Sequence, residues 1–235
     1  MNRSKPIVAI DGPVGVGKSS VASTLAKRLN YLYIDTGAMY RSVTYRCLQT
    51  GIDIHDRPSV AGLTRETQIH LERSDEGLKV FCDGEEITEA IRTPEVSAAT
   101  SAVADNPLVR ERLVAMQQEM GRNGGVVMEG RDITTVVFPD AEIQLYLDAA
   151  PQIRAQRRYR ELIAKGKNVT FEQTLADLLE RDRRDQTRPV GALTISDRAR
   201  VVDTTPMTQN QVIDSLYAIV MDWIEKHSSS EEQGK

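Results

Sequence analysis

At 235 residues, 40% of them hydrophobic and 27% charged, the chain is long and apolar enough to bury a core, which excludes a disordered protein. The 30 basic and 34 acidic residues leave a net charge of −4, which excludes the strongly basic surface of a protein that coats nucleic acid. Two lone cysteines, Cys47 and Cys82, and three scattered histidines lack zinc-site spacing, so the thiols are expected to stay reduced and packed as small apolar groups.

The first apolar run, residues 7–10, is too short for a signal-peptide core and is interrupted by Asp11. No later run approaches the ~20 apolar residues that cross a bilayer, so the expected location is the cytoplasm, away from membranes. The run reads as a β-strand. After it comes Gly12-Pro13-Val14-Gly15-Val16-Gly17-Lys18-Ser19, which fits G-x-x-x-x-G-K-[ST]. Val21, Leu25 and Leu29 then repeat at helical spacing and predict a helix over 18–29. Strand, glycine turn and helix in that order are the context of a phosphate-binding loop: the glycines let backbone N–H groups converge on phosphate oxygens, and the helix start adds its positive dipole end. Gly12, Pro13, Val14, Gly15, Val16, Gly17, Lys18, Ser19 and Ser20 are the expected ATP contacts. Lys18 would reach the β- and γ-phosphates, and the Ser19 hydroxyl would ligate Mg²⁺, the expected cofactor, held mostly through phosphates and water. Asp11 is expected to shape the loop rather than bind metal.

Further short apolar runs at residues 31–34, 126–128, 143–147 and 201–202 alternate with helical patterns, which predicts an α/β fold with a parallel sheet covered by helices. Residues 63–104 break the rhythm. There Ile69 and Leu71 alternate with polar residues, Ser74-Asp75-Glu76-Gly77 reads as a turn, and residues 78–82 read as a second strand ended by Asp83-Gly84, an antiparallel insertion. Thr93-Pro94-Glu95 and Asn106-Pro107 each place a polar cap before proline and predict two helix starts. A helix opened by Pro151 should end near Lys165-Gly166. Thr170 with Gln173 forms a capping box for the next helix, which runs to about Thr187 and is stopped by Pro189. Thr208 with Gln211 repeats the box for the last helix, and the tail 228–235 is expected to be disordered. No repeat or linker divides the chain, so residues 1–227 read as one domain.

The glycine loop names a nucleoside triphosphate but no acceptor. A regulatory GTPase would carry an N/T-K-x-D tetrad and a motor ATPase an apolar strand ending in paired acids; the sequence has neither. Asp35-Thr36-Gly37-Ala38-Met39-Tyr40-Arg41 resembles the D-[ST]-G-A-[IM]-Y-R signature of bacterial cytidylate kinases. Gly130-Arg131-Asp132 with Thr135-Val136-Val137-Phe138-Pro139, and Arg181-Asp182-Arg183-Arg184-Asp185 with Arg188, resemble two further signatures of that family. With the P-loop and the insertion these cover residues 7–223. Thr36 stands where many members have serine, and Thr134 where glycine is common.

The resemblance implies a P-loop kinase fold with five core strands, a monophosphate-binding subdomain inserted at about 36–104, and a helical lid at about 152–187. It implies transfer of the ATP γ-phosphoryl group to CMP and dCMP. Residues matching Arg41, Arg131 and Arg188 bind the acceptor phosphate in the family. Ser101, Arg110 and Asp132 read the base beside Thr36, while Asp185 and Arg181 hold the ribose. An Asp and Arg pair suits a cytosine edge, which offers an amino donor beside two acceptors, whereas uracil has a carbonyl in place of the amino group.

Arg181, Arg184, Asp185 and Arg188 fall on one helical face, and Arg154, Arg157, Arg158 and Glu161 share a face of the preceding helix. These two faces are expected to close over ATP, with Arg157 binding ATP and Arg181 and Arg188 acting with Lys18 and Arg131 as catalytic charges. Arg160, Lys165, Lys167 and Arg183 read as solvated helix charges. Tyr31, Tyr33 and Tyr40 are expected to pack rather than stack on a base. Two other readings remain open: a kinase for a different small acceptor, and a nucleotide-gated nucleic-acid-binding protein using the basic helices. The favoured reading is a monomer that binds ATP and CMP or dCMP and no nucleic acid.

Overall fold

The computed structural model describes residue 3 and residues 5–74 and 77–232. In chain order, strand β1 (Ile7–Asp11) leads through the glycine loop into helix α1 (Lys18–Leu29) and strand β2 (Leu32–Asp35). Helices α2 (Thr36–Thr50) and α3 (Arg57–Glu66) follow, then strands β3 (Ile69–Ser74), β4 (Gly77–Cys82) and β5 (Glu85–Glu86). After a 3-10 turn at Ala90–Arg92 come α4 (Pro94–Ala104), α5 (Pro107–Gly121) and strand β6 (Val126–Gly130). A π-helical turn, Ile133–Val137, precedes β7 (Ile143–Asp148), α6 (Pro151–Ala164), α7 (Phe171–Thr187), β8 (Arg200–Asp203) and α8 (Gln209–Glu232).

The main sheet has five strands in the order β2-β6-β1-β7-β8, and every pairing in it is parallel. All residues of β1 and β6 are buried, as apolar runs must be in a sheet covered on both faces. Alternate residues of β1 feed two cores. Ile7 and Ala9 pack with Ile34, Met39, Leu113 and Met128 on the side of α2 and α5. Val8 and Ile10 pack with Leu25, Leu145 and Leu216 on the side of α1 and α8. Tyr31 and Tyr33 belong to the second core and Tyr40 to the first. The parallel strands all end toward one rim, where Asp11, Asp35, Gly130 and Asp148 begin the loops of a ligand crevice.

The antiparallel insertion is present as β3, β4 and β5, with Ile69 opposite Cys82 and Leu71 opposite Val80. Two residues of its expected turn, Asp75 and Glu76, lie outside the described residues. The sequence reading did not resolve α2 and α3. Asp35 starts α2 by accepting from the Ala38 N–H at 2.8 Å, and Asp56 starts α3 by accepting from Ser59. Each of the anticipated caps forms: Thr93 accepts from Val96 N, Asn106 from Leu108 N, and the boxes at Thr170–Gln173 and Thr208–Gln211 both close. Helix α8 continues through Glu232, past Ser228 where disorder was expected, because each added residue gains a backbone hydrogen bond once a long helix is nucleated. Residues 233–235 lie outside the described residues.

Candidate active site

The glycine loop leaves β1 at the rim. Gly12 has φ +153°, and a side chain there would run into the Leu147 carbonyl of the neighbouring strand, so only glycine lets the loop pass. Lys18 is 5% exposed and folds back to donate to the Gly12 and Pro13 carbonyls at 2.7 and 2.9 Å. Burial, with Arg131 adding repulsion, lowers its pKa to about 7. Val14 N–H, one of the amides expected to face phosphate, donates to Asp182 Oδ1 at 3.1 Å. Arg154 donates to the Val14 carbonyl at 2.9 Å and to Asp182 Oδ2 at 2.6 Å. A buried carboxylate and guanidinium thus grip both sides of one loop residue. Ser20 Oγ turns back to the Gly17 carbonyl at 3.0 Å.

Ser19 Oγ donates to Glu129 Oε1 at 2.6 Å, and the Tyr33 hydroxyl approaches the same oxygen at 3.4 Å. Glu129 is the penultimate residue of the otherwise apolar strand β6. Burial pushes its carboxyl up, and nearby Asp35 pushes it further. The Ser19 hydroxyl and the Glu129 carboxylate are oxygen donors of the kind that suits a hard divalent cation, while Asp35 is engaged by the Ala38 N–H and Arg41. Asp11 does not shape the loop as anticipated. Its buried carboxylate instead accepts from Ile133 N at 2.9 Å and from Thr134 N and Oγ1 at 2.8 and 2.7 Å. Asp11 therefore fixes the turn that follows Arg131 and Asp132, because β1 and β6 are neighbours and the carboxylate points at the adjacent strand's exit. Thr134 supplies a donor that glycine would lack.

Facing the loop is a cluster of arginines. Asp185, on α7, accepts from Arg131 Nε at 2.8 Å and from Arg188 Nη2 at 2.9 Å. Burial pushes the Asp185 carboxyl up, but Arg131, Arg188 and Arg181 together outweigh it and hold it below the usual range. Arg188 also reaches Asp105, at the end of α4, at 2.6 Å. Arg41, on α2, rests on Asp35 at 2.9 Å. Arg181 lies within range of Arg131 and Arg41, and burial plus that repulsion lowers it to about 10. Its buried Nε has no hydrogen-bond partner, and neither has that of Arg41. Arg41, Arg131, Arg181 and Arg188 outnumber the Asp35, Asp105 and Asp185 carboxylates that face them, and this concentrated positive charge with unfilled donors suits an anion.

Behind the arginines, Arg110 from α5 donates to Asp132 Oδ2, with its guanidinium 5.5 Å from the centre of the Tyr40 ring. Arg110 is 3% exposed and Asp132 6%. Burial raises Asp132, and Arg110 opposes that rise. Tyr40 therefore faces the Arg110 guanidinium with its ring as well as packing in the core. Thr36 Oγ1 donates to the Glu129 carbonyl at 2.8 Å, which ties the start of α2 to β6. Ser101 lies on α4, one turn before the end at Ala104 whose carbonyl accepts from Arg110.

The two expected lid faces are divided. Arg184 and Arg158 point outward to Glu180 and Glu161, as do Arg183 and Lys165. Arg157, expected to bind ATP, donates to Thr204 Oγ1 and to the Thr204 and Met207 carbonyls, at 3.2, 2.7 and 3.3 Å. The helix turn separating it from Arg154 aims it at the segment after β8, and Arg154 takes the loop contact instead. Asp182, Arg154 and Glu129 were not assigned from sequence. The signals were present as an acid within Arg181-Asp182-Arg183, an arginine one turn before Arg157, and a single acid closing an apolar run.

Among the described residues no helix is long and apolar enough to cross a membrane. A gluconokinase from Sinorhizobium meliloti 1021 superposes with a TM-score of 0.50 over 97% of this chain and 99% of its own, at 15% identity, which shows a shared fold. The cytidylate kinase family model matches residues 8–222. The chain is 50% identical over 218 residues to a cytidylate kinase of Pelotomaculum thermopropionicum, covering 92% of this chain and 96% of that one. It is 44% identical to a cytidylate kinase of Anoxybacillus flavithermus, covering 93% and 97%. A bifunctional pantoate ligase/cytidylate kinase of Synechococcus is 44% identical over 96% of this chain, which spans 42% of that protein. By family model and by near full-length identity, with the glycine loop and arginine cluster in place, the chain belongs to the cytidylate kinase family.

Proposed function

We propose that this chain transfers the γ-phosphoryl group of ATP to the phosphate of CMP and dCMP, giving ADP and CDP or dCDP. The observation that carries the reading is the arginine cluster poised between two sites. Arg131 is close enough to Lys18 to help lower its pKa, while Arg131 and Arg188 share Asp185 next to the buried Arg110–Asp132 pair. Lys18 on the donor side and Arg41, Arg131, Arg181 and Arg188 on the acceptor side would flank the migrating group and neutralise its charge. Asp132 would accept from the cytosine amino group, with Arg110 donating to a ring acceptor and Ser101 adding a hydroxyl. Asp185 and Arg181 would hold the ribose. No general base is demanded, because a phosphate monoester with a second pKa of about 6 is already largely dianionic at neutral pH. Mg²⁺, held by Ser19, Glu129 and the phosphates, would polarise the phosphoryl oxygens. In this reading the protein acts as a cytoplasmic monomer, residues 36–104 move as the acceptor subdomain, and 152–187 move as the lid.

The test is ADP release by the purified protein with Mg-ATP and CMP, dCMP, UMP, AMP or GMP at matched concentration. Activity concentrated on CMP and dCMP supports the reading. Activity on none of them, with ATP still bound, would sink it.

Lys18 gives a second expectation. A lysine at about 7 in the free protein is mostly neutral at about pH 8, and a bound polyphosphate favours its charged form. Metal-free ATP should therefore take up close to one proton on binding at about pH 8, and its affinity should weaken as pH rises above 7. Calorimetry in two buffers of different ionisation enthalpy measures the uptake, and Lys18→Met should abolish it.

A further inference from the structure

Segment 188–193 crosses the Arg110–Asp132 pair as a strap anchored at both ends on one residue. Arg188 binds the Asp185 carboxylate at 2.9 Å, and the Leu193 N–H donates to the Asp185 carbonyl at 2.8 Å. Leu193 is itself buried, which holds the far end down. Between these anchors Gly191 has φ +66°, and its backbone lies so close to the pair that an added Cβ would collide with Arg110 Nη2 and Asp132 Oδ2. Neither atom can yield cheaply. Arg110 is wedged between Asp132, the Ala104 carbonyl and the Tyr40 ring, and both charged groups are buried.

We propose that Gly191 is a specificity-positioning residue: the strap, by approaching without a side chain, keeps the Asp132 carboxylate and Arg110 guanidinium in the geometry that distinguishes an amino-bearing pyrimidine from one with a carbonyl there. This rests on the reading of Arg110 and Asp132 as the base-recognising pair. Discrimination through hydrogen bonds depends on where the carboxylate stands, and a displacement of a few tenths of an ångström degrades the correct contact more than the incorrect one.

Gly191→Ala should lower the ratio of kcat/KM for CMP to that for UMP by about tenfold, mainly through the CMP value. Left-handed strain alone is controlled by Gly51→Ala, at φ +69° with no atom within 4 Å of the added Cβ; this variant should keep the wild-type ratio. In an Asp132→Ala background the Gly191→Ala change should lower the ratio no further, because the two act through one contact. An unchanged ratio in Gly191→Ala, where Asp132→Ala by itself lowers it, overturns the role of the strap and leaves the base-recognition reading standing. An unchanged ratio in Asp132→Ala overturns that reading and the proposal together. Thermal melting checks that Gly191→Ala folds. Should it not fold, Leu193→Ala loosens the far end of the same strap by removing its buried side chain, without adding a Cβ at 191 and with the backbone bond to Asp185 remaining. It must lower the ratio; an unchanged ratio there overturns the proposal.

Discussion

Replacing Arg188 with methionine should lower kcat by about 10³-fold, the scale of an arginine that stabilises charge on a migrating phosphoryl group. The guanidinium sits where such a role requires. Its Nη2 shares Asp185 with Arg131, and its Nε holds Asp105 at the end of α4. Methionine preserves much of the buried stem but none of the donors, so the loss should fall on kcat more than on the KM for ATP, whose loop Arg188 does not touch. Asp185 keeps its 2.8 Å bond from Arg131 Nε, so its charge is not left unpaired and the fold should survive. Steady-state kinetics with a melting curve separate the effects. Near-normal kcat with an intact melt would remove Arg188 from the chemistry, whereas a collapsed melt would assign it to holding α7 against α4.

The parts of the fold legible in the sequence were those fixed by local chemistry. Residues 7–19 combine an apolar run, glycines at tight spacing and a helix pattern, and each demands the same strand, loop and helix. The caps before Pro94 and Pro107 likewise act within one turn. What escaped is set by distance along the chain. Asp182 closes on Val14 across 168 residues and Asp11 on Thr134 across 123, and no local pattern tells which of several acids will be the one buried. Spacing placed Arg154 and Arg157 on the same helical face, yet it could not say which would meet the loop; Arg154 reaches the Val14 carbonyl, while Arg157 reaches the segment after β8. The resemblance named the acceptor residues without geometry, and the crowding that leaves Arg181 Nε unpartnered is visible only in three dimensions.

Truncating Asp132 to alanine should cut kcat/KM for CMP by about 10²- to 10³-fold while changing that for UMP far less, since a site built to accept from a substrate amino group loses that bond and strands its own buried donor. The stranded donor is Arg110, 3% exposed, which would retain only the Ala104 carbonyl at 3.4 Å and the face of Tyr40. Removing one partner of a buried pair costs about 3–5 kcal/mol, so a lower melting temperature should accompany the kinetic loss. Asp132→Asn separates the two effects. The amide fills the same volume but can turn an NH₂ toward the carbonyl that uracil carries in place of the amino group. Turnover of UMP should therefore rise in Asp132→Asn relative to Asp132→Ala, with CMP still impaired. If both variants keep the wild-type preference for CMP, the buried pair holds the α5 end of the fold and the base is recognised elsewhere.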